Sequence, residues 1–311
     1  MLARTVLIIA GAASLCGAAS PASAAPMRLE PTSGWELREY DDKCRMIRDF
    51  GTGENALTLW IDKGGPGPGL NLTLIGRPVR SPYGAYVRVG FAPGPPVDRN
   101  FITASSTKGR PVLGLFGVQP VSLLAEPAPE NTAAATQDEE SVDLLQAAAA
   151  EYAAEDILKK RYAAITALEL SGAVIDPITL ELDRVLPMAD DLFNCAAALS
   201  RRLSRDPAAE GGLARGVKTV DEAIWARKIQ ENYPRHLWQS EQQGTVAVRL
   251  TVNKEGRATF CEVTGFSGPA SFNETACLEL LRHAQFSPAM DADGNPVASF
   301  YSTRITYRLN N

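Results

Sequence analysis

Apolar and polar residues alternate most cleanly over Gly244–Val252, where Val246, Val248, Leu250 and Val252 face one side and Thr245, Ala247, Arg249 and Thr251 the other. A period of two predicts a half-buried strand. Asn253-Lys254-Glu255-Gly256 then predicts a hairpin turn, with Gly256 free to take left-handed backbone, and residues 257–264 form the returning strand. Beyond Gly265, Gly268 and Pro269, residues 272–284 place Ala276, Cys277, Leu280, Leu281 and Ala284 on one face of a helix that stops before Pro288. A loop over 290–296 leads into a last strand. In it Tyr301, Thr303, Ile305, Tyr307 and Leu309 point inward, and Ser302, Arg304, Thr306 and Arg308 outward. Thr219 and Glu222 have the spacing of a capping box, so a short helix through Trp225 and Ile229 is expected ahead of Tyr233-Pro234. The order is αββαβ.

The forward part has a different texture. Short apolar-rich runs at 35–40, 44–50, 56–61, 70–75, 85–91 and 111–116 lie between Gly and Pro, the pattern of an antiparallel sandwich or barrel. Strand character returns at 165–170 and 178–182, and a helix over 188–203 carries Cys195. In between, residues 111–158 contain no Lys or Arg while Glu126, Glu130, Asp138, Glu139, Glu140 and Asp143 accumulate. This predicts an acidic linker passing into an Ala-rich helical insertion over 126–160. Gly, Pro and Ala then mark a second linker at 206–218. The expected class is α+β: a β-rich N-terminal domain over 30–205 with that insertion, then a small αββαβ domain over 219–311.

Composition and charge narrow the function. The 311 residues are 45% hydrophobic and 22% charged, ordinary for a folded protein, and the net charge is −5. A general binder of nucleic acid or anionic membrane needs a basic face, so neither partner is expected. Residues 1–24 have the form of a secretory leader: Arg4, an apolar run from Val6, and Ala22-Ser23-Ala24 before the expected cut. The apolar run is far short of the ~20 residues that span a bilayer, so no stable membrane span is expected after cleavage. An uncleaved chain would stay at the inner membrane. Cleavage leaves Cys44, Cys195, Cys261 and Cys277, an even count that in an exported chain points to two disulfides with three possible connectivities. Cys261 shares a strand side with Val263, and Cys277 lies on the sheet-facing side of the helix. The pairing chosen is therefore Cys261–Cys277 with Cys44–Cys195.

Catalytic and metal signatures are sparse. His236 and His283 are the two histidines, each read as a surface or partly packed residue. No cysteine pair has metal-ligand spacing, and no phosphate loop or zinc-binding helix is present, so neither metal nor cofactor is expected. Residues 64–69 are Gly-rich, but Pro66 and Pro68 lack the N–H that a phosphate loop aims at its anion. Ser267 between Gly265 and Gly268 is near the nucleophile-elbow pattern, and Asp291 and Asp293 suggest half of a calcium loop; turns account for both. The expectation is a non-enzyme.

Tyr233-Pro234, Gly244-x-Val246, Val252-x-x-x-Gly256-Arg257, Val263 with Ser267-Gly268, and Phe286-Ser287-Pro288-Ala289 together resemble the C-terminal domain of the TonB family, over about the last quarter of the chain. The resemblance implies a periplasmic protein whose last strand takes an extended peptide as an added strand, that peptide being a segment of an outer-membrane TonB-dependent transporter or another envelope protein. It also implies a receptor contact from the stretch ending in Tyr-Pro. The expected partner-binding residues are thus Gln230, Glu231, Asn232, Tyr233 and Pro234, with Ser302, Arg304, Thr306 and Arg308 on the strand. The family's energy transducers keep an uncleaved membrane helix and a Pro-rich rod, which this sequence replaces with a cleavable leader and a β domain. The alternatives are a periplasmic enzyme or an envelope scaffold that uses the TonB-like unit for docking or for a homodimer.

Overall fold

The computed structural model describes residues 25–65, 69–80, 86–119, 161–204, 213–269 and 271–309. The expected leader at 1–24, the acidic insertion at 126–160 and residues 206–212 of the expected linker lie outside them. The described chain is strand-rich α+β with few helices.

The forward part contains β1 (Met27–Leu29), β2 (Glu36–Glu39), β3 (Cys44–Phe50), β4 (Leu57–Lys63), β5 (Leu70–Gly76), β6 (Val87–Ala92), β7 (Val97–Arg99), β8 (Ile102–Ser105), β9 (Pro111–Val118), β10 (Ala167–Gly172), β11 (Ile178–Glu181) and helix α1 (Val185–Leu203). One sheet has the order β2-β3-β4-β5-β9-β8 and a second β1-β11-β10-β6-β7. Met46, Leu59, Leu72 and Leu113 from the first sheet, Val89, Leu168 and Leu180 from the second, and Leu192 and Leu199 of α1 meet in one hydrophobic cluster. The Cys44–Cys195 disulfide ties α1 to β3 inside it. The second sheet departs from the antiparallel expectation in one pair, β1 on β11, which is parallel. These strands lie far apart in sequence, so no hairpin forces opposite directions on them.

The C-terminal part contains β12 (Leu213–Arg215), β13 (Lys218–Val220), α2 (Glu222–Glu231), α3 (Arg235–Gln239), β14 (Gly244–Val252), β15 (Ala258–Ser267), α4 (Ser271–His283), β16 (Gln285–Ser287), β17 (Ala289–Asp291), β18 (Pro296–Val297) and β19 (Ser299–Tyr307). Its main sheet is β15-β14-β19, with β14 in the middle. Residues 213–218 are not the linker the sequence suggests: β12 pairs with β17, and β13 with β16. The capping box also fails. Thr219 belongs to β13, Asp221 takes the N-cap position in left-handed backbone at φ 50°, and no side chain caps the helix. The Thr219 hydroxyl bonds the Glu222 carboxylate instead, at 3.0 Å. Strand pairing with β16 fixes the Thr219 backbone before capping can use it.

A second hydrophobic cluster collects Val246, Val248, Leu250 and Val252 of β14, Ile305 and Tyr307 of β19, Trp225 and Ile229 of α2, and Phe272, Ala276 and Leu280 of α4. The two parts touch on the other face of this sheet. Thr251, which alternation places on the polar side, is buried there and donates from Oγ1 to the Gly64 carbonyl at 2.6 Å. Phe300 packs against the forward cluster, and the Ser299 hydroxyl donates to the Leu203 carbonyl at 3.2 Å.

Candidate functional site

A three-stranded sheet leaves two edges, and here they differ. β15 pairs with β14 through two register shifts, one of which leaves Thr264 without a partner. Such bulges bend a strand and interrupt the row of backbone groups it could offer a newcomer. β19 pairs with β14 at every position from Ser299↔Val252 to Tyr307↔Gly244 with no shift. Among the described residues its far side has no strand neighbour.

Ladder chemistry then says which residues of β19 are available. In an antiparallel pair, residues alternate between bonding the partner and pointing N–H and C=O away from it. The Thr306 carbonyl accepts a hydrogen bond from Gln230 Nε2 of α2 at 2.7 Å, so it points away from β14. Thr306 Oγ1 lies 3.3 Å from Thr245 Oγ1, the close side-chain approach of a pair that shares no ladder bonds. By the same parity Ser302 and Arg304 present their backbone outward. Their side chains, with that of Thr306, are exposed.

Helix α2 runs beside this edge and makes it a groove. Trp225, Ala226, Ile229 and Gln230 form one wall and residues 303–306 the other, around a space of about 280 Å³. The tilt of α2 is held from below. Tyr233 stacks edge-on against Phe272 and Tyr307, and its hydroxyl donates to the Gln242 carbonyl. Asn232 Nδ2 donates to the buried Glu279 carboxylate at 2.7 Å, which Arg282 and His283 also approach. Burial, with smaller contributions from Glu279 and Tyr233, pushes the Tyr307 hydroxyl well above the usual phenol range, so it stays neutral.

The expected partner-binding residues therefore separate into groups. Gln230, Arg304 and Thr306 come together along the groove, and Ser302 is exposed on β19 just beyond it. Arg308 lies past the end of β19, exposed. Glu231 is exposed at the last turn of α2. Asn232 and Tyr233 are spent on internal contacts, and Pro234 is the N-cap of α3. The sequence reading did not single out Trp225 and Ile229 as groove wall. Their helical spacing, with Gln230 next to Ile229, was the available signal. Nor did it find Glu279, since a carboxylate buried within an apolar helix face has no mark of its own in one sequence. The start of β19 is not open, because Ser299 and Phe300 face the forward part.

Neither the curated proteins nor the solved structures include a match to this chain. The family model that matches is that of the Gram-negative bacterial TonB protein C-terminal, over residues 229–309, so from the last turn of α2 through β19 the chain carries a domain of the TonB C-terminal family.

Proposed function

We propose that the C-terminal domain binds an extended peptide as a fourth strand on β19, the peptide being a segment of an outer-membrane TonB-dependent transporter, and that it does so in the periplasm after residues 1–24 are removed. The observation that carries the reading is the contrast between the sheet edges. The β19 edge is regular, has no strand beside it among the described residues and is walled by α2, whereas β15 is bulged. Main-chain bonds to residues 302–306 supply affinity, and the groove under Trp225 and Ile229 takes alternate side chains of the guest. Gln230 must release Thr306 or share its carbonyl when the guest strand arrives. The proposed role is adaptor binding; no helix among the described residues is long and apolar enough to cross a membrane. No chemical step is assigned to the protein.

The decisive variant is Arg304→Pro. Proline removes one outward N–H and is tolerated on an edge strand, so the β14 ladder is preserved. Titration of a synthetic peptide from a transporter's N-terminal periplasmic segment should show binding to the wild type and about tenfold weaker binding to the variant, the scale of one lost bond with its neighbours' fit. Undiminished binding to a folded Arg304→Pro chain, or no binding to the wild type, refutes the proposal.

A further inference from the structure

α4 holds both walls of the groove beside β19. Phe272, in its first turn, stacks on Tyr307, the last residue of β19, with ring centroids 4.4 Å apart. Two turns further along the helix, Glu279 receives the side chain of Asn232, the residue that ends α2. Strand and helix wall are thus both attached to one element.

Glu279 is an unexpected residue for that attachment. It is 3% exposed and lies on the helix face of Phe272, Ala276 and Leu280. Asn232 Nδ2 donates to its Oε2 at 2.7 Å, His283 Nε2 lies 3.3 Å from the same oxygen, and Arg282 pairs with Oε1 at 3.1 Å. A buried carboxylate gives up its hydration, and replacing such an ionic group by apolar side chains of similar size is often neutral or stabilising. Stability therefore does not account for the charge. Direction does: apolar packing would hold α2 against α4 yet let it roll, whereas one carboxylate oxygen and one amide nitrogen meet in one place. Asn232 Nδ2 also donates to the Lys228 carbonyl at 3.1 Å, so the bond grips the last turn of α2. Ile229 and Gln230 lie in that turn and Trp225 one turn before it. A roll of α2 would move the apolar wall and the Gln230–Thr306 bond together.

We propose that Glu279 is a positioning residue for guest binding: through Asn232 it fixes α2 at the spacing from β19 that admits an added strand. This role rests on the strand-addition reading above. The test uses the full chain and the transporter peptide of the Arg304→Pro titration. In Glu279→Met the freed donors of Asn232, Arg282 and His283 can turn to water, so the melting temperature should stay within about 4 °C of wild type. Peptide affinity should nonetheless fall about fivefold. Glu279→Gln, whose amide oxygen can still accept from Asn232, should restore most of it. Asn232→Ala, at an exposed position, should weaken binding as Glu279→Met does, and it covers the case in which the buried variant fails to fold. The Gln230 side-chain amide, followed by nuclear magnetic resonance, reports its bond to Thr306 without peptide and should shift in Glu279→Met and Asn232→Ala. Binding that is weakened by Arg304→Pro but undiminished in both of these variants overturns the role of Glu279 alone. So does a loss in Glu279→Gln as large as in Glu279→Met. A wild type that binds no peptide refutes the strand-addition reading instead, and an unmoved Gln230 signal would then overturn the positioning of α2 as well.

Discussion

At the scale of single residues, position decides what a familiar residue type can do. Gly256 closes the β14–β15 hairpin at φ 73°, and a Cβ there would stand 2.0 Å from the Phe286 carbonyl oxygen. Gly294 closes the β17–β18 turn at φ 81° with open space around it. Left-handed backbone alone costs a residue with a Cβ roughly 1–2 kcal/mol. Gly294→Ala should therefore lose about that much in denaturant unfolding and Gly256→Ala distinctly more, since a carbonyl must also move. Equal losses would mean that the hairpin yields easily. Lys63 sets a pH dependence. Burial first, partly offset by Glu262, lowers its pKa from 10.5 to about 8. The folded chain then releases this proton at lower pH than the unfolded chain, so the unfolded state binds more protons between about 8 and 10.5 and stability from this group rises across that window. Unfolding measured at pH 7.5, 9 and 10.5 should show the rise in the wild type and a flatter course in Lys63→Met.

At the scale of elements, legibility followed period and length. β3, β5 and β14 were readable because their burial alternates along much of the strand or, in β5, is broken only at Thr73. β12, β13 and β16 to β18 were not, because they have two or three residues each, and all but β18 pair with strands far off in sequence. A strand that short carries no period, and the Thr219–Glu222 spacing, which starts in β13, pointed to a cap that pairing forbids. The outward set of β19 was readable from alternation, while α2 as the opposite wall was not, since it depends on how a helix is laid against a sheet. The Cys261–Cys277 disulfide was readable from the faces the two cysteines share, with Cys44–Cys195 as the remaining pair, and the worth of each depends on loop length. Cys44 and Cys195 are 151 residues apart, Cys261 and Cys277 16. In the chain-entropy model the longer loop is worth about 5 kcal/mol and the shorter about 3. The Cys44→Ala/Cys195→Ala double variant should thus melt lower than Cys261→Ala/Cys277→Ala; the reverse order would show that native strain or residual unfolded structure outweighs loop entropy.

At the scale of the whole molecule, the contact between the two parts is what the sequence conceals most. Thr251 occupies a polar slot in a clean alternation, yet it is buried because a glycine of the forward part approaches the sheet closely enough to accept its hydroxyl. Gly64 makes that approach possible: a Cβ there would come within 2.5 Å of Phe260 Cβ. Phe300 and Ser299 anchor the start of β19 to the forward cluster and to the end of α1. Lys254 adds a 3.7 Å ion pair to Asp41, exposed and of little energetic weight. If this contact couples the two clusters, Gly64→Ala should push the loop off Phe260, break the Thr251 bond and let each cluster unfold by itself. Calorimetry should then show one transition in the wild type and two in the variant, with the Thr251 amide region exchanging hydrogen faster. The peptide edge should respond as well, because β19 would lose its fixed start and the entropy of ordering residues 302–306 would fall on the guest strand. A single unchanged transition in Gly64→Ala would show instead that the sheet holds β19 in place without help from the forward part.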